Sequence, residues 1–312
     1  MARDTEKRLN DLLNSSHQSI RRAYLNAVRS VQDSMQLKQL QTLLENGNIE
    51  GLVELIESIP QRLSMQVNLE FAQAGNSTSN LIASVTSTPI VFDMASNRAV
   101  AIMQNERLRL IRQFTQGQRE LVRDIMTEGI TRQINPIEQA RQFRDSIGLT
   151  SYQEKAVQNY KRALENRPSE SLRRALRDGR FDRTVVNATQ SGKAIPQKKI
   201  NRMVQRYRER YLKYRAETIG RTEALRAVNH ANEEAIDQAV DDGVLDKNEF
   251  WEEWSTSGDE RVRTSHSTMN GQRVRRGESF ISGAGNLLRF PGDPNAPAEE
   301  TIDCRCLKLI RF

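Results

Sequence analysis

Apolar residues recur at steps of three and four through the first part of the chain. Ile20, Tyr24, Val28, Val31 and Met35 share one face of an amphipathic helix. Asn46-Gly47-Asn48 is the expected stop, since glycine takes the left-handed cap conformation without a steric penalty. Leu52, Ile56, Ile59 and Leu63 carry a second helical stripe, interrupted at Pro60. From Gly75-Asn76-Ser77-Thr78-Ser79 onward the residues are small and polar, so 75–88 is predicted to be a loop. Ser87-Thr88-Pro89 then predicts a new helix with proline in its first position, and Val91, Ala95, Arg98 and Ile102 follow at helical spacing.

The middle of the chain is helical with clear punctuation. Asn135-Pro136 with Glu138 starts a helix that Gly148 ends, and Thr150-x-x-Gln153 is a capping box that starts the next. Pro168 closes that helix, and a brief basic helix is predicted from Ser171 to Asp178, stopping at Gly179. Between Pro196 and Asp242 only Gly220 interrupts a helical pattern carried by Ile200, Val204, Tyr207, Tyr211 and Tyr214. About 46 residues of helix would span roughly 70 Å. After Gly243 short segments with Trp, Val and Phe alternate with Gly, Asn and Pro, which predicts strands and loops. Met269-Asn270-Gly271-Gln272 has the signature of a tight hairpin, and Ile302, Cys304 and Cys306 would share one face of a terminal strand. The expected fold class is α+β: predominantly long α-helices with a small C-terminal α+β domain and no fixed-period repeat. Three regions follow: an N-terminal helical region (1–140), a basic helical region (141–220) and the C-terminal domain (221–312).

Composition narrows this further. Apolar residues make up 37% of the chain and aromatics 5%, too few for one large compact core and better suited to elongated helices with narrow buried stripes. No apolar run reaches the roughly 18 residues of a membrane span, and no secretory signal is expected behind Met1-Ala2-Arg3-Asp4-Thr5-Glu6-Lys7. The only two cysteines stand one residue apart and cannot staple a fold, which fits a reducing compartment. The net charge of +7 is unevenly placed: 1–140 is neutral, 141–220 carries 20 basic and 8 acidic residues, and 221–312 carries 12 basic and 17 acidic. Within the positive segment, Lys198, Lys199, Arg202, Arg206, Arg208, Arg210, Lys213 and Arg215 alternate with tyrosines. Such a helix neutralises phosphates of double-stranded DNA without sequence preference. It would equally be a solvated face or the complement of an acidic partner, and tyrosines at helical spacing favour packing over base stacking.

The densest chemistry lies near the C-terminus: Trp254-x4-Asp259-x3-Arg263-x2-His266, then Gly271, then Cys304-Arg305-Cys306. His266, Cys304 and Cys306 suit Zn²⁺, with Asp259 or Asp303 as a fourth ligand. The competing reading packs two small soft cysteines in a sheet, with His266 bonded to Asp259 or a backbone carbonyl. Asp259 and Arg263 would then form an ion pair, and Arg221-Thr222-Glu223 a local ion pair plus packing. Signatures of catalysis are missing. A zinc deaminase needs His-x-Glu and Cys-x2-Cys, Ser267 follows His266 where a protease helix has Glu, and no nucleophile elbow, phosphate loop or nucleotide fingerprint occurs. Only Arg305 would favour a Cys304 thiolate. No enzyme is expected, and no cofactor, with structural zinc as the one open alternative.

These residues resemble the phage Mu protein F-like head morphogenesis (minor capsid) family. Upstream, Ile219-Gly220-Arg221-Thr222-Glu223 with Ala227 and Asn229 is similar to the family's Arg-Thr-Glu segment. So are Ile147-Gly148-Leu149-Thr150 with Gln153, Ala156 and Val157, the run Tyr207-x3-Tyr211-x2-Tyr214, and Pro291-x-Asp293-Pro294. The resemblance covers roughly 145–312, departs at Asp303 where an Asn is expected, and leaves 1–140 unmatched. It implies a structural virion component present in few copies, attached at or near the portal inside the capsid and found in the host cytoplasm during assembly. Implied partners are the portal protein, the major capsid protein or both, with the C-terminal domain docking on protein and the basic helix facing packaged DNA. No membrane partner is expected. Two alternatives stand beside it: a DNA-binding ejection factor released with the genome, and a metal-dependent hydrolase using His266, Cys304 and Cys306. Trp251 and Trp254, three apart, would face opposite sides of a strand, leaving one as a docking anchor.

Overall fold

The computed structural model describes the backbone of residues 2–311 and the side chains of residues 6–311. Helix α1 (Ala2–Ser34) buries Ile20, Tyr24, Val28 and Val31, the stripe expected of it. It breaks at Met35-Gln36, ten residues before the expected stop, and α2 (Leu37–Glu45) is a separate helix ending at Asn46 with Gly47 left-handed. No glycine or proline marks that break. Asn48 caps α3 (Ile49–Glu54), its side chain accepting from the Gly51 N–H. Pro60 lies in the first turn of α4 (Ser58–Thr86), where its missing N–H has no helical partner to lose.

The predicted loop at 75–88 is wrong, because α4 runs through it to Thr86. The small residues there are small because neighbours come close. A Cβ on Gly75 would stand 2.2 Å from the Phe92 ring, and Thr78 Oγ1 donates to Asn232 Oδ1 from within the core. The helix predicted at Pro89 is also displaced. Residues 88–93 are irregular, Val91 is exposed, and α5 (Asn97–Arg132) begins after Ser96, whose hydroxyl accepts from the Ala99 N–H. Tertiary contacts hold the segment out of helix: Gln238 bonds both the N–H and the C=O of Asp93.

Further on, α6 (Pro136–Ser146) carries the Asn135 cap, and α7 (Ser151–Asn166) carries the Thr150–Gln153 capping box in full. The basic helix predicted from Ser171 to Asp178 is instead a four-residue turn of helix, α8 (Pro168–Ser171), followed by turns. Gly179 opens a 3-10 turn into α9 (Asp182–Ser191) rather than ending a helix, since Asp178 caps it through the Arg180 N–H. Helix α10 (Gln197–Asp241) is continuous over 45 residues, as its pattern predicted.

Two compact units emerge, each assembled from stretches far apart in sequence. One comprises 25–61 and 110–216. Its core joins Leu149, Val157, Tyr160, Leu164, Val185, Met203, Val204 and Tyr207. Gly148 is left-handed there, with Val28 and Leu212 side chains within 3.0 Å of where a Cβ would stand, and Gln118 donates to the Leu149 carbonyl. The Ile-Gly-Leu-Thr run is thus a buried corner followed by a helix cap.

The other unit comprises 1–24, 62–109 and 217–312. Here β1 (Trp251–Ser255) is the centre of an antiparallel sheet in the order β2-β1-β5, with β2 at Arg273–Val274 and β5 at Leu307–Arg311. Trp254 pairs with Lys308 and Glu252 with Val274. Strands β3 (Phe280–Ile281) and β4 (Leu287–Leu288) form a separate hairpin. Leu225 of α10 packs with Trp254, Met269, Val274, Phe280, Leu288, Cys304 and Cys306, while Ile236 and Ala239 pack with Ile82, Leu245 and Phe250. At 67% helix and 5% strand the α+β expectation holds.

Gly220 provides a stability test within this unit. A Cβ there would sit 2.9 Å from the His17 carbonyl oxygen and from the side chains of His17 and Arg21, so α1 would have to move away from α10. Gly220→Ala is expected to lower unfolding free energy by about 1–3 kcal/mol in urea titrations. Gly117→Ala, at a helical position with nothing within 4 Å, is expected to raise it by up to about 1 kcal/mol.

Candidate metal centre and its surroundings

Asn270-Gly271 does not make the predicted tight hairpin. It closes a turn from the short helix α11 (Thr264–Ser267) into β2 and folds that turn back onto β1. The Gly271 N–H donates to the Trp254 carbonyl, the Trp254 N–H donates to that of Gln272, and Asn270 Oδ1 accepts from the Thr256 N–H. Left-handed φ at Gly271 makes the turn possible. The tight hairpin lies instead at 282–286, between β3 and β4, where the Ser282 N–H donates to the Asn286 carbonyl. This arrangement places His266 of α11 beneath β1.

The tail reaches the same place by a different route. Ile302 is exposed and Asp303 is left-handed, so the strand expected from Ile302 begins only at Leu307. Asx residues tolerate that conformation best, which is why an Asp serves where an Asn was expected. Arg263 donates to the Ile302 carbonyl, the Asp303 N–H donates to Thr222 Oγ1, and Arg221 bonds the Asp303 carboxylate at 2.6 Å. The expected Asp259–Arg263 pair is therefore absent. Asp259 instead grips Arg305 with both oxygens, at 2.6 and 2.7 Å, and that contact holds its carboxyl below the usual range. Asp259 and Asp303, the two anticipated fourth ligands, are both occupied by arginines.

Between these anchors Cys304 and Cys306 are buried, with their sulfurs 3.5 and 3.4 Å from His266 Nδ1. The predicted trio meets. On the other side of the ring, Nε2 lies 2.9 Å from Glu300 of α12 (Ala298–Thr301), a residue that sequence patterning missed. Glu300 also accepts from Ser265, Ser282 and Asn286. Burial pushes its carboxyl up, but the bonds from Asn286, Ser282 and Ser265 outweigh this and hold it below the ordinary value. The Cys306 thiol hydrogen-bonds Cys304 and, ahead of His266, holds the Cys304 thiol well down; the same bond, with burial, pushes Cys306 up. Trp254, fully buried, lies edge-on to His266 with centroids 5.4 Å apart.

The remaining motif residues prove to be internal struts. Arg221 and Glu223 do not pair with each other. Glu223 is buried against Arg109 and lies 3.6 Å from Arg226, with Glu106 on the other side of Arg109 at 2.6 Å. Asn229 donates to the Pro291 carbonyl, joining two segments that the resemblance had singled out separately, and Asp293 ties the following loop through the N–H groups of Arg289 and Asn295. A second buried network also went unforeseen: Lys308 bonds Glu252 at 2.9 Å and Glu233, while Arg276 bonds Glu252, Glu233 and Asp237 at 2.6–2.8 Å. Burial pushes the Lys308 ammonium down and the Glu252 carboxyl up, against the pull of Arg276 on the latter. Such partners come from sequence positions 24 to 75 residues apart, beyond the reach of local pattern.

In the other unit, the eight basic residues of α10 divide by helical angle. At about 100° per residue, Lys198, Lys199, Arg202, Arg206, Arg210 and Lys213 fall within an arc of roughly 120°, and all six are exposed. Arg208 and Arg215 lie on the opposite side. Arg208 is turned inward onto Glu154 at 2.8 Å, and Arg215 is half-buried. Arg206 also contacts Glu209, and Arg210 contacts Asp178. Tyr207 stacks on Tyr160 at 4.2 Å and meets Tyr211 edge-on, so these rings pack inward, as favoured from their spacing, while Tyr214 is exposed.

Residues 179–309 match the family described as Phage Mu protein F like protein. That stretch is a Mu F-like region, and it contains α10 and every residue of the centre described above. No curated protein and no solved structure matches the chain. Among the described residues no helix is long and apolar enough to cross a membrane.

His230, half-buried on α10 with its ring edge-on to Phe290, gives this region a pH signature. Both ring nitrogens lack a hydrogen-bond partner, and burial lowers its pKa to about 4. Below about pH 6.5 the unfolded chain binds a proton that the folded chain refuses. Its contribution is therefore complete above that pH and falls as pH drops towards 4, by about 3 kcal/mol in all. Urea denaturation between pH 7 and 4 is expected to show the wild type losing more stability than His230→Gln; parallel losses would contradict the assignment.

Proposed function

Taking the Mu F-like region as the premise, we propose that this is a minor head protein. It is a structural component of the virion, attached at or near the portal on the inner side of the capsid, with a basic helix face turned to packaged DNA. The head assignment rests on the family, which is one of phage head morphogenesis. Its protein partners are the portal protein, the major capsid protein or both, met in the host cytoplasm during assembly. The DNA contact rests on a different observation: six exposed cations in one arc of α10, on the side away from the tyrosine core. Duplex DNA presents phosphates along its whole length, so a straight row of cations matches it without reading bases.

The work of this protein is binding rather than catalysis. Most of the groups with perturbed titration, His230 apart, are engaged in ion pairs and hydrogen bonds inside the fold, which is also how structural networks behave. Trp251, exposed on β1 with the Arg275 guanidinium 3.6 Å above its ring, is the proposed anchor of the C-terminal sheet for a protein partner.

Replacing Lys198, Lys199, Arg202 and Arg206 with Gln is expected to weaken duplex binding equally on all sequences. The same change should reduce the slope of log affinity against log salt by about 3–4. Arg208→Gln should leave that slope alone and instead lower the melting temperature, because it strands buried Glu154. Salt-independent binding, or a slope unaffected by the four substitutions, would remove DNA from the function. Location is tested in particles before and after genome release: a resident head protein stays in emptied capsids, whereas loss with the DNA would make it an ejection factor. Trp251→Ala should reduce incorporation into heads without changing the fold.

A further inference from the structure

We propose that His266 Nδ1, Cys304 Sγ and Cys306 Sγ hold a zinc ion that locks the C-terminal strand to the rest of its unit. The spacing of the three atoms is the first observation. All lie within 4.8 Å of one another, and the nitrogen stands 3.5 and 3.4 Å from the two sulfurs. Around a tetrahedral Zn²⁺, with Zn–S about 2.3 Å and Zn–N about 2.0–2.1 Å, a nitrogen and a sulfur ligand stand about 3.6 Å apart. A single S–H···N hydrogen bond has a similar length; the convergence of both sulfurs on one ring nitrogen is the feature that a shared ion accounts for.

The orientation of the imidazole is the second observation. Every other neighbour of the Glu300 carboxylate donates to it: Ser265 Oγ, Ser282 Oγ and Asn286 Nδ2, at 2.8, 2.8 and 3.0 Å. The ring nitrogen 2.9 Å away faces the same carboxylate at ion-pair distance without regular hydrogen-bond geometry; an acceptor-only neighbour there favours the N–H on Nε2, which leaves the Nδ1 lone pair towards both sulfurs. A carboxylate behind a histidine, fixing its tautomer and ring orientation, is what metal-ligating histidines use. The sulfur side is prepared as well. The Cys306 N–H donates to Cys304 Sγ at 3.4 Å, and the Trp254 indole N–H is buried with no hydrogen-bond partner.

Three protein ligands leave a fourth position, since Asp259 and Asp303 are held by Arg305 and Arg221. Cys304 lines a cleft of about 350 Å³ together with Asn10, Asn14, His17 and Ser257, and a water from that cleft completes the coordination. Binding releases the thiol protons to solvent and changes no oxidation state.

The test uses the full chain purified under reducing conditions without chelators. Elemental analysis is expected to find close to one zinc per chain, and chelation to lower the melting temperature. Cobalt(II) added to the metal-free protein should give thiolate-to-cobalt charge-transfer bands and the strong visible bands of a tetrahedral ion. Glu300→Gln should weaken metal affinity about 10–100-fold while keeping all three ligands, and Cys304→Ser should abolish the charge-transfer bands or sharply reduce them. Cobalt titration of the wild type decides the matter even if a variant does not fold. A reduced, folded chain that takes up no zinc and shows no thiolate–cobalt bands would overturn the proposal, as would zinc uptake unchanged in Cys304→Ser.

Discussion

The constraint on which the C-terminal unit depends is that α10, from Glu217 onward, is covered on nearly every side. Gly220, Ala224, Ala227, Val228, Ala231, Ala235 and Ala239 are all buried. Small side chains along a helix let its neighbours approach closely, as at Gly220, where the α1 backbone lies 2.9 Å from the place a Cβ would occupy. A helix surrounded in this way has little solvent face on which to place polar residues, yet this one carries Glu223, Arg226, Asn229, Asn232, Glu233, Glu234 and Gln238. A buried polar group is costly unless it is bonded. Asn229 meets the Pro291 loop, Asn232 meets α4, Gln238 holds the 91–96 segment, and Glu233 meets Arg276 and Lys308. The polar residues of the central helix thereby specify which loops and strands surround it, and in what register.

The same logic extends to the C-terminal tail. A five-residue strand on one edge of a small sheet has little apolar area with which to stay docked. It is held by Arg221 and Arg263 before the cysteines, by Asp259 between them, and by the buried Lys308–Glu252 contact after them. The His266–cysteine cluster lies inside this set of anchors. Tail position and the geometry of the His266–cysteine cluster are therefore one problem: whatever moves residues 302–308 also moves two of its three donor atoms.

In the other unit, the earlier half of α10 behaves as an ordinary amphipathic helix. Ile200, Met203, Val204 and Tyr207 enter the core, and the basic arc faces outward. The positive charge of 141–220 is also reduced where it enters the fold, since Arg208 is matched by Glu154, Arg177 by Asp182, and Arg180 by Asp178. The cations available for a polyanion are thus a smaller and better ordered set than the net charge alone implies.

Much of this was legible from the chain. Period, caps and prolines located α6, α7 and the 45-residue α10, because these signals act within a few residues of the structure they specify. Residue chemistry also identified the His266, Cys304 and Cys306 trio, and helical angle alone separates Arg208 and Arg215 from the other six cations. Local pattern failed where the deciding partner was remote. The small polar run at 75–88 is helix because it packs against Phe92 and Asn232, and 89–96 is not helix because Gln238 holds Asp93. Asp259 and Arg263, four residues apart and free to pair, choose Arg305 and the Ile302 carbonyl once the tail arrives. Composition and period determined the elements, the charge segregation and the chemistry of the His–Cys cluster. Only the tertiary structure decided which buried polar group meets which, because burial removes water as the default partner and leaves the choice to residues that the fold brings together.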